Sequence, residues 1–118
     1  MISDLPIFQI YGAMARHAAE SQRVSAENIS RAGEPGFKAK QVESFEDYLA
    51  RVQTAADMGQ TAPAFRLQEA IGPAAPNGNT VSIEQEVFRS ADAMGQHNLA
   101  LTVYTKSIEL MRTAIGKR

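Results

Sequence analysis

The chain has 118 residues, no cysteine, 12 basic and 13 acidic residues, and a formal net charge of -1. This length corresponds to one domain, and the lack of cysteine excludes disulfide bonds, thiolate zinc sites and thiol nucleophiles. The balance of charge argues against a nucleic-acid-binding protein and against a surface held to membranes by charge alone. No apolar run approaches the roughly 18 residues of a membrane span. Asp4 and Pro6 interrupt the N-terminal apolar run, so we expect no cleavable signal peptide.

The first predicted element is a long helix within residues 1–32. Ser3 or Asp4 is suited to cap it, and Pro6 is suited to its first turn. Apolar side chains recur at steps of three and four, which is the helical period, and toward the end of the helix they give way to small polar residues. Such residues allow another helix to approach closely. The stripe consists of Ile7, Tyr11, Met14, Ala18, Ser21, Ser25 and Asn28.

The second region, residues 33–81, contains most of the prolines and glycines. Asn77-Gly78 predicts a tight turn, which leaves room for a small β-hairpin. Because so long a segment with so little pattern is unusual in a compact domain, we expect it to be disordered alone or ordered by a partner. One short amphipathic helix that ends at Gly59 is predicted from Val42, Phe45, Leu49, Val52 and Ala56.

The third region, residues 82–118, predicts a second long helix. Ser82 and Gln85 have the spacing of a capping box, and Gly116 followed by two cations marks the stop. Large apolar residues recur at a strict period of seven, which favours left-handed supercoiling against another helix. These residues are Val87, Met94, Leu101, Ile108 and Ile115.

Together the regions predict an all-α fold. The long N- and C-terminal helices pair as an antiparallel coiled coil, and the irregular middle holds one short helix and room for a small β-hairpin. Because much of the apolar content is alanine, the core of one chain is thin, and we expect folding to need neighbouring chains. The predicted pairing and assembly seams place Ile7, Tyr11, Met14 and Ala18 opposite Val87, Met94, Leu101, Ile108 and Ile115.

No group of residues predicts catalysis, a cofactor or a metal site. A metal needs three or four converging ligands, whereas the only histidines, His17 and His97, have no such company in the sequence. Glu43, Glu46 and Asp47 are an acidic group that we expect on the solvated face of the short helix. We therefore expect a protein that is not an enzyme.

Two small motifs have only weak functional meaning. Asn28-Ile29-Ser30 fits the N-glycosylation pattern, which is common by chance. Phe37 lies among the cations Arg31, Lys38 and Lys40, a combination that stacks on nucleic acid in some proteins. That cluster is too small to outweigh the balanced charge, and we expect no nucleic-acid partner.

Two segments resemble the family of flagellar axial proteins, and most closely its short rod members. The first is "ENISRAGEPGFKAK", a helix end followed by a small-residue turn, Pro-Gly, an aromatic and a basic residue. The second is "NGNTVSIEQEV", the entry to the last helix, in which Gly78, Asn79, Val81 and Glu86 match. The chain departs from the family at Ser30-Arg31, where Ala-Asn is usual, and at Gly33-Glu34, where Asp-Thr is usual. In the first segment the match is carried by Asn28, Ile29, Ala32, Pro35, Gly36, Phe37, Lys38 and Ala39.

The resemblance implies a structural subunit of the proximal rod, which crosses the periplasm and transmits torque. Such subunits leave through the flagellar type III export gate without a cleavable signal and pack helically around a central channel. The implied partners are other copies of the chain, other rod proteins, and the adaptor and export-gate proteins at the rod base. A cytoplasmic coiled-coil adaptor or export chaperone is the alternative that the residues leave open.

Overall fold

The computed structural model describes residues 6–116, so the predicted caps Ser3 and Asp4 and the terminal cations Lys117 and Arg118 lie outside the described residues. The described chain is mostly helical, with three helices and two short strands. In chain order these are α1 (Pro6–Ser30), β1 (Lys40–Val42), α2 (Phe45–Asp57), β2 (Leu67–Glu69) and α3 (Ile83–Gly116).

The two long helices, α1 and α3, pack against each other and run antiparallel. Phe8, near the start of α1, meets Tyr104, far along α3, edge to face with ring centroids 5.5 Å apart. At the other end, the carbonyl of Arg31 accepts a hydrogen bond of 3.0 Å from the side chain of Asn79, just ahead of α3. The predicted pairing of two long helices is thus present within one chain.

Small side chains form the buried part of this helix pair. Ala18 on α1 is 1% exposed, and Ala93 and Ala100 on α3 are 5% and 0% exposed. The buried positions of α3 start at Glu86 and repeat every seven residues. Each buried residue comes directly before a large apolar residue of the heptad that was predicted to face α1. The contact between α1 and α3 therefore uses a different stripe of α3.

The two strands pair antiparallel, with Gln41 opposite Gln68 at the centre of the register. They do not form a hairpin, because α2 and the loop after it lie between them in sequence. The tight turn predicted at Asn77-Gly78 is present, with Gly78 at a φ of 86°, but no described strands flank it.

The short helix α2 begins at Phe45, three residues later than the predicted stripe, because Ser44 caps it. The Ser44 hydroxyl accepts a hydrogen bond of 3.1 Å from the backbone N–H of Asp47, and Val42 belongs to β1 instead. The helix is followed by Gly59 at a φ of 72°, as the predicted stop requires.

The middle segment makes contacts with other parts of its own chain. β1 packs on α1, and β2 pairs with β1. The backbone N–H of Thr80 donates to the carbonyl of Phe37 at 3.0 Å, which closes the segment onto itself. These contacts lie within one chain, and the expectation that a partner orders residues 33–81 stays a prediction.

Candidate functional site

The two segments that carry the family resemblance meet in space at the end of α1. We call this meeting place the junction, residues 28–40 together with 77–81. Asn28, which is 1% exposed, is its first anchor. Its side-chain amide donates to the carbonyl of Lys40 at 2.7 Å, and its Oδ1 accepts from the Lys40 N–H at 3.1 Å. Asn28 therefore pairs with β1 in the way a neighbouring strand would.

Asn79, 4% exposed, is the second anchor of the junction. Its Nδ2 donates to the carbonyls of Arg31 and Glu34 at 3.0 and 2.7 Å, in the turns that follow α1, where each carbonyl also accepts a backbone N–H. Its Oδ1 accepts from the Val81 N–H at 2.8 Å. One buried side chain thus joins the end of α1 to the entry of α3.

The backbones of the two segments lie close together at two glycines. The N–H of Gly36 donates to the carbonyl of Asn77 at 2.9 Å. A Cβ on Gly78 would lie 3.4 Å from the Cα of Gly36, and both glycines have positive φ, 76° and 86°. The positive φ therefore favours glycine at both positions.

The remaining motif residues lie on the outside of the junction. The guanidinium of Arg31 lies over the ring of Phe37, 5.4 Å from its centroid, and Lys38 Nζ donates to the Gly78 carbonyl at 3.2 Å. The cluster that resembled a nucleic-acid site is thus engaged in internal contacts. Ile29 and Pro35 are exposed, while Ala32 and Val81 are partly buried.

A buried ion pair, which the sequence reasoning missed, holds the middle segment. Glu43 is 4% exposed, contrary to the predicted solvated position, whereas Glu46 and Asp47 are exposed as expected. The Glu43 carboxylate accepts two hydrogen bonds from the guanidinium of Arg51, and the one from Nε is 2.9 Å long. It accepts a third, of 2.8 Å, from the backbone N–H of Arg66. The bonds from Arg51, followed by the one from the Arg66 backbone, lower the pKa of Glu43 despite its burial.

His17 connects this ion pair to α1. Its Nε2 lies 2.6 Å from the carbonyl oxygen of Glu43, and its ring packs edge-on against Phe45 and Phe65 at 5.5 Å each. Tyr48 lies 4.4 Å from Phe65 and donates its hydroxyl to the carbonyl of Pro63 at 2.9 Å. His17 is a buried structural contact between α1 and the middle segment.

The signal for part of this cluster was present in the sequence. Ser44 followed by Asp47 is a helix-start pattern, and it would have placed the start of α2 at Phe45 and Tyr48 on its buried face. No local pattern pointed to the partnership of Glu43 with Arg66, because the two residues meet only when the strands pair.

The large apolar heptad of α3 lies beside the contact with α1, turned toward solvent. Val87, Met94 and Ile115 are each more than half exposed, at 56%, 54% and 59%, and Leu101 is 45% exposed. Ile108 is partly buried. We call these five residues the outer stripe. Its role as an assembly seam stays a prediction.

The α1 residues predicted for the seam are divided between contact and surface. Ala18 is buried, Tyr11 and Met14 are partly buried, and Ile7 is 44% exposed. Near the start of α1, an open groove of about 900 Å³ lies among α1, α2 and α3, and Leu101 of the outer stripe is part of its wall. The outer stripe is therefore continuous with an apolar groove.

Within residues 6–116, no three His, Asp or Glu side chains come together in a way that would hold a metal ion. None of the helices described is both long and apolar enough to cross a membrane. Comparison with protein-family models finds no match, and comparison with curated proteins finds no significant match.

Asn79→Asp is predicted to destabilise the junction. A carboxylate cannot donate to the carbonyls of Arg31 and Glu34, and it places a negative charge against both oxygens. We expect a loss of about 2–3 kcal/mol in the free energy of unfolding, measured by urea denaturation. Asn98→Asp, at an exposed position of α3, is the matched control and should change the free energy of unfolding by less than about 0.5 kcal/mol. Equal effects of the two variants would contradict the anchoring role of Asn79.

Glu43→Gln is predicted to remove a pH-dependent part of the stability. Since the pKa of Glu43 is lowered on folding, its contribution is fully present above the ordinary value of about 4.5 and is lost as the pH falls below it. The variant should unfold more easily at neutral pH, by about 1–2 kcal/mol, because the partly exposed Arg51 is screened by solvent, and the difference from the parent chain should shrink on acidification.

Thermal unfolding followed across this pH range measures the Glu43→Gln effect. Glu46→Gln, at an exposed position in the first turn of α2, is the control and should leave most of the pH dependence intact. A constant difference between the Glu43→Gln variant and the parent at all pH values would show that the ionised carboxylate does not stabilise the fold.

Proposed function

We propose that the chain is a structural subunit of a helical assembly, and specifically of the bacterial flagellar proximal rod. In this role it carries no catalytic site. It joins other copies of itself and other rod proteins through its long helices, transmits torque and contributes to the wall of the export channel.

The observation that carries the proposal is the exposed outer stripe of α3. Five large apolar residues at a period of seven are the pattern of a helix that packs along another helix. Here the helix already packs on α1 through its neighbouring stripe, so the outer stripe remains available for a helix of another subunit. Four of the five residues are exposed, and exposed apolar patches are typical of interaction sites.

The internal contact supports a coiled-coil description of the helix pair. Glu86, Ala93 and Ala100 repeat every seven residues on α3, as the seam of an antiparallel coiled coil would. A helix with one heptad turned inward and a second turned outward is suited to a bundle of more than two helices.

The junction supports the assignment to the rod family. The two family-like segments are about forty residues apart in sequence. They form one hydrogen-bonded unit through the Asn79 side chain and through backbone bonds from Gly36 to Asn77 and from Thr80 to Phe37. Arg31, which departs from the family pattern, still takes part through its carbonyl and through its contact with Phe37. The short rod protein FlgB is the member we propose the chain to be similar to, and the related FlgC is the alternative within the family.

The proposed location is the rod in the periplasm, reached through the flagellar type III export gate without a cleavable signal. The adaptor and export-gate proteins at the rod base are the proposed neighbours. A cytoplasmic coiled-coil adaptor or export chaperone is the second candidate, since it would use the same exposed stripe. Recovery of the chain in purified basal bodies distinguishes the rod from that candidate.

Leu101→Asp and Ile108→Asp are predicted to abolish rod assembly. Each places a charge in the outer stripe, at a cost of at least about 2 kcal/mol in every contact between subunits. The readout is motility together with the amount of the chain in purified basal bodies. Thr102→Asp, at an exposed position beside Leu101, is the matched control and should leave both unchanged. Circular dichroism of each variant checks that the helices are retained, and normal motility of folded Leu101→Asp would refute the seam.

A further inference from the structure

One asparagine of the chain has a chemical environment unlike the other three. Asn77 is followed by Gly78, whereas Asn28, Asn79 and Asn98 are followed by isoleucine, threonine and leucine. A glycine has no side chain to hinder its own backbone nitrogen, so that nitrogen has access to the preceding asparagine side chain. Asn77 is also exposed to water, while Asn28 and Asn79 are buried.

The turn places two hydrogen bonds around this pair of residues. The N–H of Gly78 donates to the carbonyl of Ala75 at 2.8 Å. The side-chain Oδ1 of Asn77 accepts from the N–H of Asn79 at 3.0 Å. The first bond engages the backbone nitrogen of Gly78, and the second fixes the orientation of the Asn77 side chain.

We propose that Asn77 is a deamidation site of this protein and that the folded junction restrains the reaction. The Gly78 nitrogen, after losing its proton to solvent, attacks Cγ of Asn77. A bond between that nitrogen and Cγ forms, the bond from Cγ to Nδ2 breaks, and Nδ2 takes up a proton and leaves as ammonia. Water then opens the resulting succinimide to aspartate or isoaspartate. The net reaction consumes one water and releases one ammonia, so no oxidant or reductant is needed.

The hydrogen bond from Gly78 to Ala75 is the restraint. It stabilises the protonated nitrogen, and the attack requires that this bond be given up. When the junction opens, the nitrogen is freed and the same dipeptide reacts at the rate of an unstructured chain. Modification is therefore coupled to the opening of the junction.

The two products differ in their effect on the junction. Aspartate keeps the backbone length, and its carboxylate still accepts from the N–H of Asn79. Isoaspartate adds a methylene to the main chain and displaces the Asn77 carbonyl from the N–H of Gly36, a contact of 2.9 Å in the folded chain. The isoaspartate product thus separates the two segments of the junction.

The experiment compares the full-length chain in buffer with the same chain in concentrated urea, at 37 °C and mildly alkaline pH. Peptide mass mapping follows the exchange of the amide for a hydroxyl at each asparagine, and a protein isoaspartate methyltransferase labels the isoaspartate product. We expect modification at Asn77 in both samples, roughly tenfold slower in buffer, which is the factor that the net free energy of about one hydrogen bond corresponds to. Asn98, exposed on α3, is the internal control and should stay unmodified.

Two variants test the reaction at Asn77 and its effect on stability separately. Asn77→Ser removes the reacting amide and should abolish the mass change, while Asn77→Asp should keep the urea midpoint of the parent chain. The isoaspartate fraction isolated from aged protein should unfold at lower urea than the parent. Equal rates at Asn77 in buffer and urea would overturn the restraint, and faster modification at Asn98 than at Asn77 would overturn the site.

Discussion

The close contact of α1 and α3 through alanine is the constraint on which the rest of the structure depends. Ala18, Ala93 and Ala100 allow the two helices to approach, but alanine buries little apolar area. The large apolar residues of α3 lie beside this contact, where they add little to the stability of one chain. The same choice of side chains gives the helix pair little buried apolar area and leaves large apolar residues of α3 exposed, where we propose a neighbour binds.

Buried polar contacts hold the segments of this chain together, a role that an apolar core has in other domains of this size. Asn28 and Asn79 join the ends of the long helices to the chain between them, and the contact of His17 with the Glu43 carbonyl holds that chain on α1. Such contacts depend on exact geometry, because a buried polar group without its partner is costly. They specify one arrangement of the junction while contributing modest net stability. This combination would suit the proposed rod subunit, which would cross an export channel unfolded and gain stability in its assembly.

The helices and the turn were predictable from local sequence, and the partnerships across the chain were not. Apolar periodicity and caps indicate two long helices, and Asn77-Gly78 indicates the turn. The inward face of α3 was wrongly predicted by one residue, because Glu86, Ala93 and Ala100 share the spacing of seven with larger and more hydrophobic neighbours. Burial of Glu43 could not be foreseen either, since its partner Arg66 comes close only through strand pairing. The segments of the junction were visible in the sequence, whereas their contact with each other was not.

The outer stripe of α3 is the surface that we propose as the contact between subunits. A photo-reactive amino acid in place of Met94, with the same residue in place of Asp92 as the control, tests it in intact cells. Both positions are exposed, and they lie on different sides of the helix. We expect covalent adducts to another copy or to a rod neighbour from position 94, and few or none from position 92. Equal adducts from both positions, or none from position 94 in assembled basal bodies, would contradict this proposal.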